Sequence, residues 1–130
     1  MTLLIDWEKM MSRIQSRENA FKLIYSKLYV NEEQISSIEE IDDFCLCLVS
    51  AFTNNLEDIK QKVATNLKGT TIDRVYKIDL ALIYLAIAEI FYVEESEYKV
   101  VINEVVELAK KYSTDHSPKF INGFLAGLVK

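Results

Sequence analysis

The chain has few of the residues that form turns. Its 130 residues include only three glycines and one proline, whereas a sheet protein of this length needs turn residues at many strand connections. This scarcity favours long helices. Half of the residues are hydrophobic, so one domain can form a core without disulfide bonds or a structural metal.

Cysteine and histidine are nearly absent as well. Cys45 and Cys47 are the only cysteines, and side chains two positions apart on a helix point in different directions, so the two cannot bridge each other. With His116 as the single histidine, the chain lacks the four ligands of a zinc site. We therefore expect no metal, no cofactor and two reduced cysteines in the core.

Features of membrane proteins, secreted proteins and enzymes are also missing. No apolar run approaches the ~18 residues of a membrane span, and the N-terminus lacks the layout of a signal peptide. We expect a cytoplasmic protein that does not enter a membrane. The only imidazole, His116, lies in a polar stretch and is expected to be exposed. The paired acids are adjacent in sequence and diverge in space, so the chain is not expected to be an enzyme.

Charge is unevenly distributed along the chain. The formal net charge is −5, which argues against a general nucleic-acid coat but not against a local basic patch. Residues 9–27 carry five basic side chains and one acid, whereas residues 31–60 carry eight acids and one lysine. These two segments should attract different partners.

Hydrophobic periodicity predicts an all-α protein of six or seven helices. A leader at residues 1–11 is expected to precede a single domain at residues 12–130, and a capping box from Ser12 to Gln15 to open the first helix. The predicted elements are helices at about 13–29, 41–54, 55–67 and 98–114, a short helix or loop at 31–40, and a last helix that begins at an N-cap Ser117. A fourth helix, capped by Thr71 or Asp73, is predicted to run to about residue 92.

The fourth predicted helix is apolar on every side from Leu80 to Ala88, so it should be the central helix. Asp79 and Glu89 flank that run, and each carboxylate needs a partner or a groove that reaches water. In the last helix Gly123 and Gly127 lie four apart. Glycine is costly in a helix, so this spacing favours close approach of a neighbouring helix or a ligand.

Two groups of side chains suggest binding of single-stranded RNA, which proteins hold through cations and stacked aromatic rings. Arg13 and Arg17 share one side of the first helix, where they either snorkel at the bundle edge or face an anion. Lys119, Phe120 and Asn122 can supply a phosphate contact, a stacking ring and base-edge hydrogen bonds. A packed bundle core explains Phe120 equally well.

Three stretches of the sequence match a family pattern. The run VVINEVVELAKKY at 100–112 is followed by SPKFINGFL at 117–125, and SRENAFKLIYS at 16–26 precedes both. They resemble the V-x-I-N-E-A-V-E-L-A-K-x-Y, K-F-V-N-G-V-L and R-x-x-A-x-x-x-L-Y patterns of NusB, a family of bacterial transcription antitermination factors. The resemblance extends from about residue 12 to the end of the chain.

The resemblance implies two small helical bundles packed across each other. It also implies binding of the single-stranded boxA element of nascent RNA, together with a small-subunit ribosomal protein that acts as NusE. RNA polymerase and other Nus factors join that complex, notably on ribosomal RNA operons. The site residues that the resemblance implies are Arg13, Arg17, Lys119, Phe120 and Asn122 for RNA, and Tyr25 and Asp79 for the protein partner.

The chain departs from the family pattern in having few arginines before its first helix, where only Arg13 is present. Fewer cations release fewer counterions, so we expect weaker RNA binding by the protein alone. Two alternatives remain open. One is the RNA-binding domain of a ribosomal RNA methyltransferase, which would continue into a catalytic domain beyond Lys130. The other is a protein-interaction module of the same fold with little RNA binding of its own.

Overall fold

Helices are the only regular secondary structure in the described part of the chain. A computed structural model describes residues 2–29 and 41–130, with side chains from Glu8 onward. Its helices are α1 Thr2–Tyr29, α2 Asp43–Asn54, α3 Leu56–Asn66, α4 Lys77–Ala88, α5 Tyr98–Tyr112 and α6 Ser117–Leu128. A 3₁₀ turn at Ile72–Arg74 precedes α4, and a π-helical turn at Glu89–Val93 follows it. The predicted all-α class is confirmed.

Helix α4 is the centre of the fold, as predicted. Every residue from Asp79 to Glu89 is buried, and α1, α2, α3, α5 and α6 all pack against this helix. Each fully buried aliphatic side chain contributes roughly 1.5–3 kcal/mol relative to exposure. The other helices are therefore arranged by the need to cover α4 on all sides.

The predicted start of the first helix is wrong. Helix α1 begins at Thr2, so the stretch predicted as a leader is helical from its second residue. Ser12 lies inside the helix, and its hydroxyl donates to Asp42 at 3.4 Å instead of capping a helix start. Asp42 itself caps α2 by accepting the Cys45 N–H at 2.9 Å. A capping-box spacing is a local pattern, and here the helix continues through it.

Helix α2 is buried on one face only. Cys45 is buried, and burial together with the nearby Asp42 carboxylate raises the pKa of its thiol to about 11. Cys47 is exposed, so the expectation that both cysteines lie in the core is wrong. Leu46 is 51% exposed. Helix α2 is therefore an ordinary amphipathic helix, although its sequence is rich in apolar residues.

The remaining boundaries agree closely with the predictions. Helix α3 ends at Asn66, within one residue of its predicted end, and Gly69 beyond it has the left-handed φ of +77° that favours glycine. The fourth predicted helix, which was to end at about residue 92, is present as the 3₁₀ turn, α4 and the π turn. The short helix or loop predicted at 31–40 lies outside the described residues.

A buried ion pair attaches α1 to the end of α4. The Arg17 guanidinium donates to both Glu89 carboxylate oxygens at 2.7 Å, and the two side chains are 4% and 0% exposed. The same guanidinium lies 3.3 Å from Ser96 Oγ. The π turn places the Glu89 carboxylate opposite α1, so the partner that this carboxylate needs is an arginine of another helix.

We expect Arg17→Ala to lower the free energy of unfolding by about 3–5 kcal/mol, because Glu89 would remain buried without its cation. Arg13→Ala is the matched control, since the partner of Arg13, Glu95, is 54% exposed and such pairs contribute about 1 kcal/mol or less. Urea denaturation measures both. Equal losses in the two variants would contradict a structural role for the buried pair.

Candidate nucleic-acid interface

The start of α6 is held against the start of α4 by a small hydroxyl network. The buried carboxylate of Asp79 accepts hydrogen bonds from Ser113 Oγ at 2.5 Å and from Ser117 Oγ at 3.0 Å. Ser117 Oγ in turn accepts the Thr114 backbone N–H at 3.2 Å. This network joins the loop between α5 and α6 to the central helix, and it fixes where α6 begins.

The network corrects the predicted cap of α6. His116 occupies the N-cap position, Ser117 is the first helical residue, and Pro118 lies in the first turn. The Ser117 hydroxyl points inward to Asp79 rather than capping its own helix. Asp79 is 6% exposed, so its carboxylate serves α6 and offers little surface to a partner. His116 is exposed, as expected.

Three predicted RNA contacts lie together on the first turns of α6. Lys119 and Asn122 are exposed, and Phe120 is half-buried. The Phe120 ring packs on the core and lies 6.4 Å from the Phe124 ring, measured between centroids. Phe120 is therefore partly a core residue, and its stacking on an RNA base stays a prediction.

An open groove of about 380 Å³, which we call the α3–α6 groove, runs beside these residues. Its lining comes from the end of α3 and from α6: Asn66, Leu67, Lys68, Lys119, Phe120, Gly123, Phe124, Gly127 and Leu128. No carboxylate belongs to this lining, which carries the cations Lys68 and Lys119. The groove is thus a cationic and aromatic surface on a chain whose net charge is negative.

The two glycines of α6 line this groove instead of a helix contact. A Cβ atom placed on Gly123 or Gly127 would meet no atom of the described residues within 4 Å. The predicted close approach of a neighbouring helix is therefore wrong within the described part of the chain. Because Gly123 and Gly127 have no side chains, the groove is open along this side of α6.

Arg13 and Arg17 lie away from this surface. Arg17 binds Glu89, just past the end of α4, whereas the start of α6 binds Asp79 near the beginning of α4. These two carboxylates are ten residues apart along one helical axis. Ten residues of helix span about 15 Å. Arg13 pairs with Glu95 at 3.0 Å and lies 4.4 Å from the centroid of the Phe44 ring. Their RNA contacts stay predictions, and each would require an existing ion pair to open.

Tyr25, predicted to face the protein partner, lies in a row of aromatic rings on α1. Its ring centroid is 6.3 Å from that of Phe21 and 5.2 Å from that of Tyr29. The side chain is half-buried, so part of it is accessible to a partner. The partner role of Tyr25 stays a prediction.

Sequence reasoning missed two cations near α6. They are Lys68 and Arg74, and neither belongs to the predicted RNA contacts. Both are exposed, and neither forms an ion pair with any residue for which the structure gives a side chain. Their positions beside α6 depend on contacts across about fifty positions of sequence, which no local pattern reports.

Two further observations concern metals and membranes. Within residues 8–29 and 41–130, no three His, Cys, Asp or Glu side chains are grouped as a metal would require. None of the described helices is long and apolar enough to cross a bilayer.

The fold and the site together define an all-α protein with a cationic and aromatic groove at the start of its last helix. The chain belongs to the NusB family, a non-enzymatic family of transcription antitermination proteins, because the NusB family model matches residues 4–130. The resemblance noted in the sequence is therefore confirmed.

Individual relatives support this assignment. The transcription antitermination protein NusB of Clostridium novyi is 37% identical over 133 residues, covering 92% of this chain and 99% of that protein. The structure of T. maritima NusB matches with a TM-score of 0.78 and 25% identity over 89% of each chain. A crystal structure of antitermination factors NusB and NusE in complex with dsRNA also matches, with a TM-score of 0.78 and 25% identity, covering 92% of this chain and 96% of the other.

We expect Ser117→Ala to destabilise the protein by about 1–3 kcal/mol, because one Asp79 oxygen would lose its donor while remaining buried. Thr114→Ala is a useful control, since Thr114 is exposed and its hydroxyl contacts only Ser117 among the described residues. Thermal or urea unfolding measures the difference. A wild-type stability for Ser117→Ala would show that Asp79 does not depend on this hydroxyl.

Proposed function

We propose that this chain is an RNA-binding antitermination factor that recognises boxA-type single-stranded RNA. It does so together with a small-subunit ribosomal protein acting as NusE, in the cytoplasm. RNA polymerase and other Nus factors are contacted through that complex. The outcome is processive transcription, notably of ribosomal RNA operons.

The observation that carries this proposal is the exposed row at the start of α6. Lys119 and Asn122 are exposed, and neither side chain has a hydrogen-bond partner among the described residues. They flank a half-exposed phenyl ring and border a groove that has no carboxylate in its lining. Single-stranded RNA requires this combination, in which cations hold phosphates and aromatic rings stack on bases.

Each residue of the row has a separate role in the proposal. Lys119 binds a phosphate as a point charge, because its ammonium is not neutralised by a described carboxylate. Phe120 offers a ring face to a base, and core packing holds the ring in place so that little side-chain entropy is lost on stacking. Asn122 can donate and accept at a base edge, which is the source of sequence preference.

The solved relative that contains NusB, NusE and dsRNA supports binding of both a protein and an RNA by this fold. Tyr25 is the residue that we assign to the protein-partner surface. Asp79 acts indirectly in this proposal, since it positions α6 rather than contacting a partner.

Substitutions in the exposed row should weaken RNA binding without unfolding the protein. Phe120→Leu keeps the apolar packing but removes the ring, and loss of one base stack is worth about 1–3 kcal/mol of binding free energy. Lys119→Gln should lower affinity and reduce the slope of log K against log salt by about 0.7, the value for one phosphate on a single strand. Filter binding of a boxA RNA across salt concentrations measures both effects.

The matched control is Lys110→Gln, which removes the same charge from an exposed position on α5 that pairs with Glu107. It should leave the RNA affinity and its salt slope near wild type. Urea unfolding of Phe120→Leu separates binding from stability. If all row variants bound boxA RNA as wild type does, the proposed surface would be wrong.

The ribosomal-protein partner should contribute much of the RNA affinity. Arg13 and Arg17 are already engaged by Glu95 and Glu89, so neither can bind a phosphate without breaking an ion pair. We expect the heterodimer to bind boxA RNA at least about tenfold more tightly than the isolated chain, a coupling of about 1.4 kcal/mol. Titration of labelled RNA with and without the partner measures this ratio.

Equal affinities in the presence and absence of the partner would contradict the idea of shared binding. The same titration tests the alternative of a protein-interaction module. In that case the partner would bind the chain normally, while neither the chain nor the heterodimer would show RNA binding that depends on Lys119 or Phe120.

A further inference from the structure

Phe120 separates two depressions on the surface. One is the α3–α6 groove, and the other is an open cleft of about 260 Å³, which we call the Arg74 cleft. The lining of the Arg74 cleft is Thr70, Arg74, Val75, Tyr76, Asp79, Thr114, His116, Ser117 and Phe120. Sites for whole small molecules usually measure roughly 300–1,000 Å³, so this cleft fits one part of a longer ligand.

Arg74 is the free cation of this cleft. It ends the 3₁₀ turn that precedes α4, and its backbone N–H donates to the Thr71 carbonyl at 3.0 Å. The side chain is exposed and has no ion pair or hydrogen bond with a residue in the described ranges. In this respect it differs from Arg13 and Arg17, whose guanidinium groups are both occupied.

The carboxylate in the cleft does not cancel this charge. Asp79 belongs to the lining but is 6% exposed, and its oxygens already accept from Ser113 and Ser117. The exposed acids next in sequence, Asp73 and Asp115, are not part of the lining. The cleft therefore presents an unpaired guanidinium to solvent, as a phosphate site requires.

Aromatic surface lies beside the guanidinium. Tyr76 is 51% exposed and lines the cleft together with the half-buried Phe120. A large exposed aromatic side chain next to a free cation is the arrangement that holds a base and its phosphate in single-strand binding sites. Because Phe120 lines both depressions, a strand stacked on this ring continues from the α3–α6 groove into the Arg74 cleft.

We propose that the Arg74 cleft is a second nucleotide subsite for single-stranded RNA. Arg74 binds a phosphate there, Tyr76 stacks on the neighbouring base, and the strand crosses the start of α6 over Phe120. This inference rests on the proposed RNA-binding function, and it adds contacts that the family pattern in the sequence did not indicate.

The test compares three variants in the complex with saturating ribosomal-protein partner. Arg74→Gln removes the charge, Arg74→Lys keeps it, and Lys77→Gln is the control. Lys77 lies three positions away but sits 5.2 Å from the centroid of the Tyr29 ring and is not part of the cleft. The probe is a labelled single-stranded boxA RNA, together with versions shortened one nucleotide at a time from either end.

We expect Arg74→Gln to weaken binding about tenfold, the effect of losing one charge-assisted hydrogen bond. The salt slope should fall by about 0.7. Arg74→Lys should recover most of the affinity, and Lys77→Gln should behave as wild type. Shortening the RNA from one end only should abolish the difference between wild type and Arg74→Gln, at the length where the second subsite becomes empty.

Wild-type affinity and salt slope for Arg74→Gln would overturn the second subsite. If Lys119→Gln and Phe120→Leu still weakened binding in that case, the proposed function would stand and only this inference would fail. If the wild-type complex bound no RNA, both would fail. A loss that is the same for RNAs of every length would also contradict the subsite, since it would reflect general charge rather than a contact with one nucleotide.

Discussion

Burial of α4 on every side is the constraint on which the rest of the structure depends. A helix in that position has no water-facing surface, yet this one carries Asp79 at its start and Glu89 just past its end. An unpaired buried carboxylate costs several kcal/mol. Each acid must therefore bind a group from another part of the fold: Glu89 binds Arg17 of α1, and Asp79 binds the Ser113 and Ser117 hydroxyls.

Because the two carboxylates have different partners, the two ends of α4 differ in how the surrounding charges are used. At the Glu89 end, Arg17 pairs with Glu89 and Arg13 pairs with Glu95, so both arginines of α1 are engaged within the fold. At the Asp79 end, neutral hydroxyls satisfy the carboxylate, so nearby cations stay free. Lys68, Arg74 and Lys119 are exposed around the start of α6 without ion pairs in the described part of the chain. Which cations stay exposed thus depends on which donors satisfy each buried acid.

Helical periodicity predicted most of the helices because apolar spacing reports the face that each helix buries. It also identified α4 as central, since only a fully covered helix tolerates an apolar run on all sides. The incorrect predictions came from local sequence patterns that occur in more than one structural setting. The spacing from Ser12 to Gln15 fits a helix start, but α1 continues through it. Gly123 fits a close helix contact, but it borders an open groove.

The sequence by itself determined the helical class, the family and the row of side chains at the start of α6, because these depend on spacing within one helix or on a continuous motif. Only the tertiary structure decided which charges are free. Arg17 and Arg74 each stand next to an acid in the sequence, yet the first is buried against Glu89 and the second is exposed in a cleft. Whether each arginine has a partner depends on helices that are far apart in the chain. Ion pairing between such distant residues leaves no signal in the local sequence.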